Sequence, residues 1–189
     1  MNHSGDYFSM GEKALKPWYR AALCLLVINL FASLVSGQRV QPDERVSLIR
    51  QRCNNINRKL ATYRKVKKNG LEIESETGGN MDAYLAGKEI RKIVFLLNSE
   101  SSRWRIEFYY WTGNLIFAYT KKVQMNMETM RPEYTEERRL YFADGKLIKL
   151  LVDKADISLN DAKYDAEYKT EVENTVSLSN DLVDAVRAR

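Results

Sequence analysis

The stretch FYYWTGNLIF, residues 108–117, decides the fold, and LYFADGKLIKL at 140–150 repeats its plan. In each, two turn residues separate apolar runs: Thr112 and Gly113 in the first, Asp144 and Gly145 in the second. A two-residue turn of this kind needs positive φ at both positions, and Asp-Gly between alternating apolar residues is a strong hairpin signal. A third copy of the pattern (aromatic, two residues, Gly, two residues, Ile) runs from Tyr84 through Gly87 to Ile90, with Glu89 where the others have Leu115 and Leu147. Counting outward from Thr112-Gly113 pairs Tyr110 with Leu115, Phe108 with Phe117 and Ile106 with Tyr119, which makes these six the core side of a sheet. Phe142 pairs with Leu147 in the same way. The other face then carries Tyr109, Trp111, Ile116, Tyr141, Ile148 and Leu150. That is too apolar for a face washed by water, so it is either covered or a contact surface.

Helical periodicity brackets this sheet. Over residues 43–68 the apolar positions Val46, Ile49, Cys53, Ile56, Leu60 and Tyr63 recur every three or four residues, as on a helix that buries a narrow stripe. Pro42, Asp43 and Glu44 suit its start, the lysines at 65, 67 and 68 suit its end, and Asn69-Gly70 stops it. Gly78-Gly79 reads as a turn. A second helical segment spans about 158–187, opened by Ser158 and Asp161 as a capping pair. Tyr168, Val172, Val176, Ser179, Val183 and Val186 form its stripe, and residues 177–181 mark a break into two helices. The expected fold is α+β: an antiparallel meander sheet of repeated β-hairpins flanked by N-terminal and C-terminal helices, with one helix or both on the core face.

Charge is unevenly distributed. Residues 38–68 hold ten Lys or Arg against Asp43 and Glu44, whereas 153–189 hold nine acids against five bases. Complementary helices lying side by side explain this most simply; a basic surface for phosphate or anionic lipid is the alternative.

Residues 1–37 read as a secretory signal peptide. Lys13, Lys16 and Arg20 precede Ala21–Gly37, 17 residues without a charge, and Val35-Ser36-Gly37 suits cleavage before Gln38. The run is short for a membrane-spanning helix, which needs about 20 apolar residues; an uncleaved anchor is the competing reading. The remainder, 38–189, is then a single exported domain, periplasmic or secreted. It contains one cysteine, Cys53, and no histidine, because the chain's one His is His3. One cysteine allows no internal disulfide, and its place in the helical stripe suits a small buried hydrophobe. The lack of histidine removes His-based triads and nearly every zinc or iron site.

No phosphate loop, dinucleotide turn, nucleophile elbow or calcium loop is present. A pair of acids could still hydrolyse envelope polysaccharide, but no pair stands out. Met125, Met127 and Met130 put three thioethers within six residues; Cu(I) would suit them, although gap-filling under a hairpin connection is the commoner use. The candidate binding group is aromatic: Trp104, Tyr109, Trp111 and Tyr141, exposed together on the sheet face and suited to protein or sugar recognition.

The segments Tyr109–Tyr119 and Tyr141–Leu151, each with an aromatic pair, a two-residue turn ending in Gly and a Leu-Ile run, resemble hairpins of small exported bacterial proteins without a characterised function. The likeness covers roughly a quarter of the exported part and implies an exported hairpin sheet, with no site residues to carry over. The resulting expectation is a non-catalytic binding or interaction module of the bacterial envelope. It needs no cofactor, meets an envelope protein or glycan and not nucleic acid, and touches membrane only if the signal stays attached. Rival readings are a carboxylate-based hydrolase and an anchored structural protein that pairs between chains as a homo-oligomer.

Overall fold

Two of the three hairpin turns form where the sequence puts them. Thr112 (φ 49°) and Gly113 (80°) both lie in the left-handed region, as do Asp144 (53°) and Gly145 (73°), and a further turn does the same at Asp153 and Lys154. These are the φ values whose twist matches flanking strands. The computed structural model describes residues 42–73, 76–129 and 131–188. The signal reading at 1–37 and Met130 fall outside them.

Eight strands follow one another in a single antiparallel meander, ordered as in the chain: β1 (Arg64–Ile73), β2 (Glu76–Ala86), β3 (Glu89–Asn98), β4 (Ser102–Trp111), β5 (Asn114–Met125), β6 (Pro132–Ala143), β7 (Lys146–Val152) and β8 (Ala155–Ile157). Helix α1 (Pro42–Arg58) precedes the sheet, and α2 (Ala162–Glu167) and α3 (Lys169–Arg187) follow it. The architecture is α+β.

Register differs from the simple count outward from the turns. Tyr110 pairs with Leu115 as expected, but Tyr109 then pairs with Phe117, Phe108 with Ala118 and Ile106 with Thr120. Ile116 is the extra residue of a β-bulge, and one added residue sends every later side chain to the other face. Phe117 and Tyr119 therefore leave the face of Phe108. The same device recurs. Phe142 pairs with Leu147 and Tyr141 with Lys149, leaving Ile148 extra; Leu85 pairs with Ile90 and Tyr84 with Lys92, leaving Arg91 extra. In that third hairpin Gly87 (φ 62°) is the first turn residue, not the second. The true counterparts of Tyr110 and Phe142 are thus Leu85, and those of Leu115 and Leu147 are Ile90. The mismatch at Glu89 comes from aligning on the glycine.

Two apolar layers result, one on each face. Phe95, Phe108, Tyr110, Leu140, Phe142 and Leu150 join Val172 and Leu182 of α3 in the main core. On the other face Tyr109, Ile116 and Tyr141 meet Val46, Ile49, Cys53 and Ile56 of α1. The two flanking helices therefore do not share the core face. Nor do they lie side by side, so their opposite charges are not an interhelical pairing. Leu150, counted above on the second face, is buried in the α3 layer.

Several local expectations change for identifiable reasons. The first helix stops at Arg58 and a 3₁₀ turn at Leu60–Thr62 leads into β1, so residues 64–68 are strand. Asn69-Gly70 marks an irregularity within β1, with Gly70 at φ 67° and the register shifting between Lys68 and Leu71. Gly78 and Gly79 lie inside β2 rather than in a turn. A Cβ on Gly79 would sit 2.1 Å from the Phe95 ring, and one on Gly78 would sit 2.9 Å from the Gly70 Cα, so close approach explains both glycines. At the C-terminus the helical break falls at Tyr168, while residues 177–181 continue α3. Asp161 caps α2 through a bond from the Lys163 amide. Ser179 stays in the helix and is buried because its hydroxyl lies 2.8 Å from that of Tyr110.

Candidate functional site

The four aromatic candidates do not make one exposed platform. Trp104 shares the face of Ile106, Phe108 and Tyr110, two, four and six residues on along an unbroken register with β3, whereas Tyr109 and Trp111 project from the other side. Tyr109 and Tyr141 are each only 3% exposed. At the hairpin ends the second face is covered from within the chain. Helix α1 lays its apolar stripe on the bulged hairpins and adds arginines at the edges: Arg45 reaches Asp144 at 3.0 Å, Arg50 Nε donates to the Tyr141 hydroxyl at 3.3 Å, and Arg52 stacks 5.1 Å from the Trp111 ring. Arg91, a bulge residue, lies 4.9 Å from that same ring. Trp111 remains half-buried between the two guanidinium groups. Trp104 donates its indole N–H to Ser102 and carries Lys122 over its ring.

Beneath the C-terminal half of α1 sits a polar cluster that register alone assembles. Lys92 is 5% exposed, and its ammonium gives one bond to Glu107 Oε2 (2.7 Å), one to the Tyr109 hydroxyl (2.6 Å) and one to Asn57 Oδ1 of α1 (3.0 Å). The Tyr109 hydroxyl donates to Glu107 Oε2 at 2.7 Å, and Arg105 Nε donates to Glu107 Oε1 at 2.8 Å. Desolvation pushes the Glu107 carboxyl upward, but bonds from Lys92, Tyr109 and Arg105 outweigh it and hold the group below the usual carboxylate range. Burial, with Glu107 beside it, drives the Tyr109 phenol far up. Cys53 lies next to this cluster, and burial pushes its thiol up to about 12.

Every donor of Lys92 is used, and both oxygens of Glu107 are occupied. Such a carboxylate has no free lone pair for a substrate proton, and a thiol held protonated is a poor nucleophile. The cluster is a clamp between helix and sheet. Sequence reasoning missed it because the bulge at Arg91 decides which face Lys92 takes. The methionine cluster also disperses: Met125 is buried, whereas Met127 is 56% exposed.

Open space lies elsewhere. On the α3 face, where β1 to β3 run out beside the end of α3, a groove of about 760 Å³ opens. Val66, Leu85, Ile90 and Tyr110 give its floor and Val183 and Val186 its helix wall, with Arg64, Lys68, Lys88, Glu89 and Arg187 at the rim. A smaller groove of about 350 Å³ lies between α1 and the hairpin ends, lined by Leu48, Arg52, Trp111 and Leu115 among others. Each groove has a single carboxylate in its lining: Glu89, paired with Arg91 at 2.5 Å, and Asp144, paired with Arg45. Neither offers the two facing acids that glycoside hydrolysis uses. Among the described residues no cluster of three or more His, Cys, Asp or Glu could hold a metal ion, and no helix is long and apolar enough to cross a membrane. No protein-family model, no curated protein and no solved structure matches this chain.

Proposed function

We propose that residues 38–189 work as an exported, non-catalytic binding module of the cell envelope, and that the groove at the end of α3 is where the ligand sits. The observation that carries this reading is the groove itself. Its 760 Å³ falls within the roughly 300–1,000 Å³ of small-ligand sites, and an apolar floor with a few polar groups at the rim is their usual lining. The closed polar clamp under α1 supports the non-catalytic part, because the half-buried Glu107 carboxylate has both oxygens engaged. Export rests on the Lys/Arg-then-apolar pattern of the first 37 residues.

Native mass spectrometry of the protein made from its own start codon, and isolated without detergent, tests both parts. The expected result is a chain beginning at Gln38 that carries a small adduct lost on denaturation. A chain that retains residues 1–37 would overturn release. An adduct-free protein that no envelope extract loads would overturn the binding reading.

A further inference from the structure

Resting on that reading, we infer that the groove takes a single-chain amphiphile with an anionic headgroup, the chain lying on the apolar floor and the head at the basic rim. The first argument is the floor. Val66, Ile90, Val183 and Val186 belong to the periphery of the main core, packed against it but only partly buried, so the apolar layer under α3 continues into the groove without a side chain to close it. Partly buried β-branched residues that line an open space leave apolar area that an alkyl chain would cover, at about 25 cal/mol per Å².

The second argument is charge. Arg64, Lys68, Lys88 and Arg187 stand at the rim against one acid, Glu89, already engaged by Arg91. Two of the four cations have local partners: Lys68 donates to the Ala188 carbonyl at 3.1 Å, answering the negative end of α3, and Arg187 lies 3.8 Å from Asp184. Arg64 and Lys88 have no ion pair within 4.0 Å among the carboxylates whose side chains the structure describes. Arg64 shares the inward face with Val66 and Leu85, its register partner, so the guanidinium rises from the same side as the floor. Cations unmatched by acids beside an apolar trough select a ligand that is apolar along its body and negative at one end. The same chemistry occurs in a fatty carboxylate and in a monoacyl phosphate.

Titration of the full chain with dodecanoate, dodecyl phosphate, dodecanol, dodecyltrimethylammonium and inorganic phosphate tests the class. Saturable binding of either anionic amphiphile is expected, with dodecanol, the ammonium and inorganic phosphate each at least about tenfold weaker; the stronger of the two anions identifies the headgroup. The double variant R64E/K88E should weaken the anion about tenfold, in line with roughly 1.4 kcal/mol, and leave dodecanol binding unchanged. A photoreactive dodecanoate should label Val183–Ala188 or the 64–68 stretch. Equal affinity for the anionic and cationic probes, or labelling outside these segments, would overturn the amphiphile assignment while leaving a ligand seen by native mass spectrometry intact. Failure of all five probes together with an adduct-free native protein would overturn both readings.

Discussion

The two faces of this sheet are covered by different physics. On the α3 face apolar packing is continuous from Met81 on β2 to Leu150 on β7; among the described residues its polar links to the helix are the buried Tyr110–Ser179 hydroxyl pair and, at the edge, the half-buried Arg138–Glu171 ion pair. On the α1 face the apolar cluster is half as large, confined to the hairpin ends, and it gives way to the Lys92–Glu107–Tyr109–Asn57 network. One face is held by area removed from water, which is large and tolerant of direction. The other is held by matched charges and hydrogen bonds, which fix position but cost desolvation. The difference predicts that a loss under α3 unfolds the whole domain, whereas a loss under α1 releases that helix alone.

Deleting the Phe108 ring, which is fully buried on the α3 face, breaks the comparison most directly. Phe108→Ala should cost about 3–5 kcal/mol, and chemical denaturation should show one cooperative loss of the whole domain. An equal loss from truncating Ile49 under α1, with the same global cooperativity, would erase the distinction between the faces.

Lys92→Met comes next. It leaves Glu107 without its buried partner and should cost roughly 3 kcal/mol, read by hydrogen exchange as selective opening of α1. Glu107 has its carboxyl lowered in the folded protein, so its contribution is fully present above the ordinary carboxylate range and is lost as pH falls through the lowered value. Glu107→Gln should flatten that acid limb of the stability curve. An unchanged limb would mean that the clamp does not hold α1.

Tyr110→Phe removes the hydroxyl pair from the α3 face and should cost only about 1 kcal/mol, with α3 protection retained. The smallest effect is a rate. Cys53, with its thiol pushed up to about 12, should resist alkylation at neutral pH in the wild type and react readily in Lys92→Met. Fast labelling of the wild type would show that α1 opens without help. Because the folded thiol titrates higher than a free one, its stabilising contribution is whole at neutral pH and fades as pH climbs past the ordinary thiol range.

How much of this was legible follows from the range of each signal. Asp144-Gly145 and Thr112-Gly113 declared their turns because a two-residue loop with positive φ leaves few residues to choose from. The buried stripe Val46, Ile49, Cys53 and Ile56 was equally readable, since 3.6-residue periodicity is local. Past the first pair beyond each turn, legibility stopped. An extra residue at Arg91, Ile116 or Ile148 looks like any other strand residue, yet it sends Phe117 and Lys92 to faces that an unbroken count does not give. The aromatic group failed as a platform for a different reason: Trp104 and Tyr109, five residues apart on an unbroken strand, fall on opposite sides by plain alternation, and α1 lies over Tyr109 and Tyr141.

The sequence by itself determined that this chain makes an antiparallel hairpin sheet with a helix at either end, because turns and periodicities are set by neighbours a few residues apart. Tertiary structure alone decided which helix took which face, that Lys92, Glu107 and Asn57 meet, and that Val66, Ile90 and Val186 bound an unfilled groove. Those outcomes depend on bulges and on packing between residues as far apart as Lys68 and Ala188, and no local pattern encodes a distance of that kind.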